Sequence, residues 1–135
     1  MTQPHVKATR ADVLSILEKL VAFNTVSDRS NLPLQDYVEA LLRSYGVEVI
    51  RVPNASGDKA ALFATIGPKI DGGVVLSGHT DVVPVEGQHW SHDPFTLRVD
   101  GGRAYGRGAV DMKAFAAIAL ATVPDMLKAP LRKPI

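Results

Sequence analysis

The chain has 135 residues, 46% of them hydrophobic and 21% charged, with a formal net charge of +1. That balance fits one globular domain and excludes both a disordered composition and the strongly basic surface expected of a nucleic-acid or anionic-membrane binder. With no cysteine in the sequence, disulfides and thiolate metal sites are excluded, and any metal must be held by His, Asp or Glu.

The first ten residues, Met1 to Arg10, are polar and lack the apolar core of a signal peptide. The first element follows them. Thr9-Arg10-Ala11-Asp12 reads as a capping box with Asp in place of Glu, and Val13, Ile16, Leu17, Leu20 and Val21 recur at helical spacing. A helix is therefore predicted from about Arg10 to Phe23, broken by Asn24-Thr25-Val26-Ser27. A second helix should begin near Pro33, with Leu34, Val38, Leu41 and Leu42 facing inward and Gly46 supplying a left-handed C-cap after Tyr45.

The period then changes. Val47 to Val52 alternates as a strand, Pro53 to Lys59 is a turn-rich loop, and Ala60 to Ile66 is a second strand closed by Gly67-Pro68. Gly73-Val74-Val75-Leu76-Ser77 is a continuous apolar run, expected to be a strand buried on both faces. A loop without periodicity spans Gly78 to Pro94. Thr96 to Arg103 reads as a hairpin turning at Asp100-Gly101-Gly102, and Met112 to Val123 as an Ala-rich helix that Pro124 kinks or stops. The longest apolar run, Ala114 to Val123, is too short to span a bilayer. Pro130 to Ile135 looks like the run into another strand. Interleaved helices and strands predict an α/β fold, a mixed sheet flanked by helices, with residues 1–135 in one domain. A soluble, cytoplasmic protein without membrane or nucleic-acid partners is the expectation.

Two clusters carry candidate chemistry. Ser77-Gly78-His79-Thr80-Asp81 falls at the carboxyl end of the apolar run, the place where sites gather in open α/β sheets. There His79 can offer a neutral imidazole to a metal, and Asp81 can accept the other ring N–H, fixing the tautomer. A bare His-x-Asp is more often a surface histidine beside a solvated carboxylate. In the second cluster, Tyr105-Gly106-Arg107-Gly108-Ala109-Val110-Asp111-Met112-Lys113, the glycines permit a sharp turn before the last helix. Asp111 there is either a hard oxygen ligand able to bridge two divalent ions or an ordinary helix N-cap. The turn has neither the Walker spacing nor the dinucleotide fingerprint. Arg107 and Lys113 could pair with Asp111 or face water. Trp90 and Phe95 are expected to pin the central loop, and His5, His89 and His92 are read as surface residues.

Together, Ser77 to Pro84, Trp90 with Asp93-Pro94-Phe95, Tyr105 to Gly108 and Asp111-Met112-Lys113 resemble the zinc aminoacylase and carboxypeptidase family in order and spacing. Val21 to Ser27 and Leu62 to Pro68 extend the resemblance, so that it runs from about Leu14 onward. Ala114 stands where that family more often has Gly. The resemblance implies the amino-terminal part of a two-zinc metallopeptidase-like catalytic domain. It also implies that His79 ligates one metal, that Asp81 is the catalytic residue orienting His79, and that Asp111 bridges both metals. Within the family, Val83-Pro84-Val85-Glu86-Gly87-Gln88 with Trp90 looks most like the branch that hydrolyses N-acetylornithine to ornithine and acetate. Desuccinylases of that family typically carry a second proline and a Gly-Asp in this stretch. A succinylated diaminopimelate, another N-acyl amino acid or a dipeptide are the alternative substrates. Two zinc ions per complete site, replaceable by cobalt or manganese, a small N-acyl amino acid as substrate and a homodimeric complete enzyme complete the implied picture. The rest of the family's site is a Glu-Glu pair containing the general base, a further carboxylate and a carboxy-terminal His. None has a matching place here, so the chain by itself is expected to be inactive.

Overall fold

Helix α1 (Arg10–Ala22) starts where the capping box requires in the computed structural model, which describes residues 7–135. Thr9 Oγ1 accepts from the Asp12 amide at 3.2 Å, and the Asp12 carboxylate accepts from the Thr9 amide at 2.8 Å. His5 lies outside the described residues. The predicted stripe faces the interior: Ile16, Leu17, Leu20 and Val21 are buried, and Val13 packs at their edge. Helix α2 (Leu32–Ser44) buries Leu34 and Leu42, with Val38 and Leu41 half-buried against the core. Its end is a Schellman motif in which the Val47 amide donates to Leu42 O at 3.1 Å and the Gly46 amide to Arg43 O at 2.9 Å. Gly46 carries the positive φ of 80° that this motif needs.

Strands β1 (Val49–Pro53) and β2 (Ala60–Ala64) form an antiparallel hairpin, with Arg51 opposite Leu62. Arg51 reaches back to α2, pairing with Asp36 and Glu39 at 2.6 Å each, and so fixes the hairpin on that helix. A second antiparallel pair, β3 (Arg98–Asp100) and β4 (Arg103–Tyr105), turns at Gly101-Gly102 as the sequence predicts. Helix α3 (Ala114–Lys128) packs Ala117, Leu120, Ala121 and Val123 against α1. The fold is α/β. Its described strands make two separate antiparallel pairs, and outside them a parallel bridge links Val26, after α1, to Val82.

Three sequence expectations are corrected. Gly73 to Ser77 is not a buried strand: Val74, Val75 and Leu76 are 62%, 75% and 43% exposed. A strand buried on both faces needs a neighbour on each edge, and among the described residues this run is held only by the Val74 amide donating to Pro134 O. Pro124 does not stop the last helix, which continues to Lys128. Proline removes one amide donor, and the following turn still closes, with the Ala129 amide donating to Asp125 O at 3.1 Å. Finally, residues 131–135 form no strand, although Ile66 and Ile135 exchange both backbone hydrogen bonds at 2.9 Å, as an antiparallel pair does.

Candidate metal centre

The segment Asn24 to Ser27, which leaves α1, positions the first cluster. The Thr25 hydroxyl donates to Thr80 O at 2.6 Å, the Val82 amide donates to Thr25 O at 3.0 Å, and the Ser27 amide donates to Val82 O at 3.1 Å. The buried Gln35 of α2 adds a bond from Nε2 to Thr80 Oγ1 at 3.2 Å. The backbone on both sides of Asp81 is thus clamped while His79 and Asp81 stay open to solvent.

The second cluster arrives through the turn Ala109–Lys113, in which Asp111 (φ −119°, ψ 94°) and Met112 (φ −137°, ψ 34°) leave helical conformation. Gly108 makes the approach feasible: its φ is +77°, and a Cβ there would lie 2.5 Å from Val82 Cγ1. Lys113 anchors the turn. It is 1% exposed and donates from Nζ to Leu20 O at 2.8 Å and Phe23 O at 2.9 Å. These are carbonyls at the end of α1 that lack helical partners. Burial pushes its pKa down to about 8.

The two clusters meet at His79. Its Nε2 lies 3.0 Å from Asp111 Oδ1, while Nδ1 lies 3.0 Å from Asp81 O and 3.2 Å from Asp81 Oδ1. The Ser27 hydroxyl donates to the other Asp81 oxygen, Oδ2, at 2.7 Å. Both ring nitrogens face acceptors, so the protonated imidazole is favoured. The hydrogen bond to Asp111 is the main cause raising the His79 pKa, with burial opposing it and the Asp81 carbonyl and the two carboxylates adding to it. Asp81 is held below the usual carboxylate range, chiefly by the Ser27 hydroxyl and further by His79. Asp111 does not cap the helix: α3 begins after Lys113 without a side-chain cap, and the Asp111 side chain is 85% exposed beside His79.

The donor set fits a divalent cation. Nε2 and the Asp111 oxygen converge from different elements, and their 3.0 Å separation is near the ~3.3 Å between two ligands of a tetrahedral zinc. Nδ1 is engaged by Asp81, the arrangement that orients a metal-binding imidazole. Val82, Val83, Gly106, Arg107 and Gly108 complete the walls of an open depression of about 250 Å³. Among the described residues no group of three or more His, Cys, Asp or Glu is placed to hold a metal.

Other side chains are placed differently from the sequence reading. Lys113 neither pairs with Asp111 nor faces water. Arg107 lies over Trp90, 5.2 Å from the ring centroid, and donates to Pro84 O and to the Gln88 side chain. Trp90 thereby ties the central loop to the glycine turn, and His92 packs against it edge-on at 5.9 Å. Sequence reasoning missed Ser27 and Lys113, because neither contact has a signal in local spacing.

Residues 75–135, which hold both clusters, match the family described as Peptidase family M20/M25/M40. That part of the chain is similar to this family. Within it, the chain is similar to acetylornithine deacetylases. It is 37% identical to that of Shigella sonnei over 130 residues, covering 90% of this chain and 33% of the relative. It is 36% identical to that of Pasteurella multocida over 129 residues, covering 90% and 34%, and 35% identical to that of Erwinia tasmaniensis over 137 residues, covering 96% and 35%. The chain thus spans about a third of the length of these relatives. Its fold is similar to human carnosine dipeptidase 1, with a TM-score of 0.61 at 22% identity over 92% of this chain and 30% of that one. Among the described residues no helix is long and apolar enough to cross a membrane.

Proposed function

We propose that these residues belong to a metal-dependent amidohydrolase that removes the acetyl group of N-acetylornithine, a reaction of arginine biosynthesis, giving ornithine and acetate. The observation that carries this reading is His79, with Nε2 against Asp111 at 3.0 Å and Nδ1 held by Asp81. Similarity to acetylornithine deacetylases supports the substrate. In this reading His79 and Asp111 would hold the metal, zinc or in its place cobalt or manganese, and Asp81 keeps the imidazole in the tautomer that presents Nε2. Bound zinc would supply activation of water near neutral pH and polarisation of the scissile carbonyl. The chain's own residues contribute orientation: Asp81 holds the ring, Gly108 and Lys113 set the turn, and the depression stays open toward solvent for a small N-acyl amino acid.

A catalytic zinc keeps three protein ligands, and His79 and Asp111 supply two. No glutamate lines the depression to serve as general base. We therefore read residues 1–135 as part of the catalytic domain, inactive alone, in an enzyme that is cytoplasmic and homodimeric. The test is ornithine release from N-acetylornithine by the full-length protein with added zinc or cobalt, beside N-succinyl-diaminopimelate and a dipeptide panel. Preferred turnover of N-acetylornithine, lost more than about 100-fold in His79→Ala, is the expected result. Preference for another acyl group would reassign the substrate. Absence of amide hydrolysis across the panel would overturn the reading.

A further inference from the structure

We infer that Ser27 is a positioning residue of this centre, acting through Asp81 on the metal-binding nitrogen of His79; the inference rests on the reading of His79 as a ligand. The relay is visible in the distances. The Ser27 hydroxyl donates to Asp81 Oδ2 at 2.7 Å, Asp81 Oδ1 lies 3.2 Å from His79 Nδ1, and the opposite ring nitrogen faces Asp111. Oδ2 is hydrogen-bonded by Ser27, and Oδ1 lies within ion-pair range of the imidazole, whose Nδ1 also has the Asp81 carbonyl at 3.0 Å. Without the Ser27 bond the carboxylate can rotate about its Cβ–Cγ bond away from the ring, whereas with it that rotation must break a charge-assisted hydrogen bond.

The serine itself is well placed to hold. Its amide donates to Val82 O at 3.1 Å, and its neighbour Val26 forms the parallel bridge to Val82. Its carbonyl accepts from Lys59 Nζ. Both backbone faces of the residue are therefore engaged, and the hydroxyl is aimed at Asp81 by the same contacts that set the backbone around Asp81. Ser27 itself is exposed, and beside Asp81 its hydroxyl has only the Val82 carbonyl, at 3.5 Å.

Partners that orient a metal ligand typically contribute about 10–100-fold in affinity, and a group one bond further out belongs near the lower end. The experiment compares the zinc dissociation constant of the full-length protein, by chelator competition, with that of Ser27→Ala, Ser27→Thr and His79→Ala. Thermal unfolding of each metal-free form is measured alongside. The inference expects Ser27→Ala to bind zinc about tenfold more weakly with an unchanged metal-free midpoint, and Ser27→Thr, which keeps the hydroxyl, to return to wild-type affinity. Wild-type affinity in Ser27→Ala, while His79→Ala loses zinc, would overturn this inference alone. Loss in Ser27→Ala that Ser27→Thr fails to restore would overturn it too, since the hydroxyl would not be the cause. Unchanged affinity in His79→Ala would remove the metal-centre reading itself, and the inference with it.

Discussion

His79 has an acceptor at each ring nitrogen, and the two acceptors have different functions in the account. Asp111 lies at Nε2, and Asp81 lies at the opposite nitrogen, Nδ1. Substitutions at the ligand and at its partner should therefore fail in different ways. In the full-length protein His79→Ala should lose one metal, whereas Asp81→Asn should keep a near-normal metal content with a rate lowered about 10–100-fold. Metal analysis beside kinetics decides it; an Asp81→Asn protein as empty as His79→Ala would make Asp81 a ligand. Lys113 poses a separate question at the same scale, because a buried ammonium is tolerated only when its donors are used. Here two α1 carbonyls accept from it. Lys113→Met removes both bonds and leaves those carbonyls unpaired, so urea unfolding should show a loss of about 2–4 kcal/mol. A loss below about 0.5 kcal/mol would mean that water replaces the ammonium.

At the scale of elements, local chemistry was legible wherever one segment decides its own conformation. The Thr9–Asp12 box, the apolar stripe of α1 and Gly46 after α2 are local signals, and each stands where the sequence places it. The run Gly73 to Ser77 was misread because its hydrophobicity reports what a strand there must be buried by, not what is present beside it. Val75 to Gly78 have no backbone partners among the described residues, in contrast to the amides of Leu20, Val21 and Ala117 inside buried helices. Hydrogen exchange of the 135-residue chain should show Val75 to Gly78 exchanging at nearly unprotected rates while the α1 and α3 core is slow. Protection of that run equal to the core would mean that it is paired in solution. The two clusters holding His79, Asp81 and Asp111 were visible in the sequence, but local spacing left their roles open and only the family resemblance assigned them to a metal; the structure brings the three residues together. The contacts of Ser27 and Lys113 were not legible in the sequence: one reaches across 54 positions and the other across 90 and 93, contacts that only the assembled fold creates.

For the molecule as a whole, the decisive fact is that two elements bring together two candidate ligands, not a full set. Zinc held by two protein ligands is bound weakly. Calorimetric titration of the 135-residue chain with zinc should therefore give no tight site of defined stoichiometry. Two tight sites would show that this chain alone builds the centre. The chain also leaves Val74, Val75, Leu76 and Phe115 at its surface. The central claim is that His79 and Asp111 share a metal. Its most direct measurement is an anomalous-scattering map of cobalt- or zinc-loaded crystals of the full-length protein. The account expects a peak about 2.0–2.2 Å from both His79 Nε2 and an Asp111 carboxylate oxygen, with Asp81 at Nδ1. A peak elsewhere, with His79 Nε2 still hydrogen-bonded to Asp111, would contradict it.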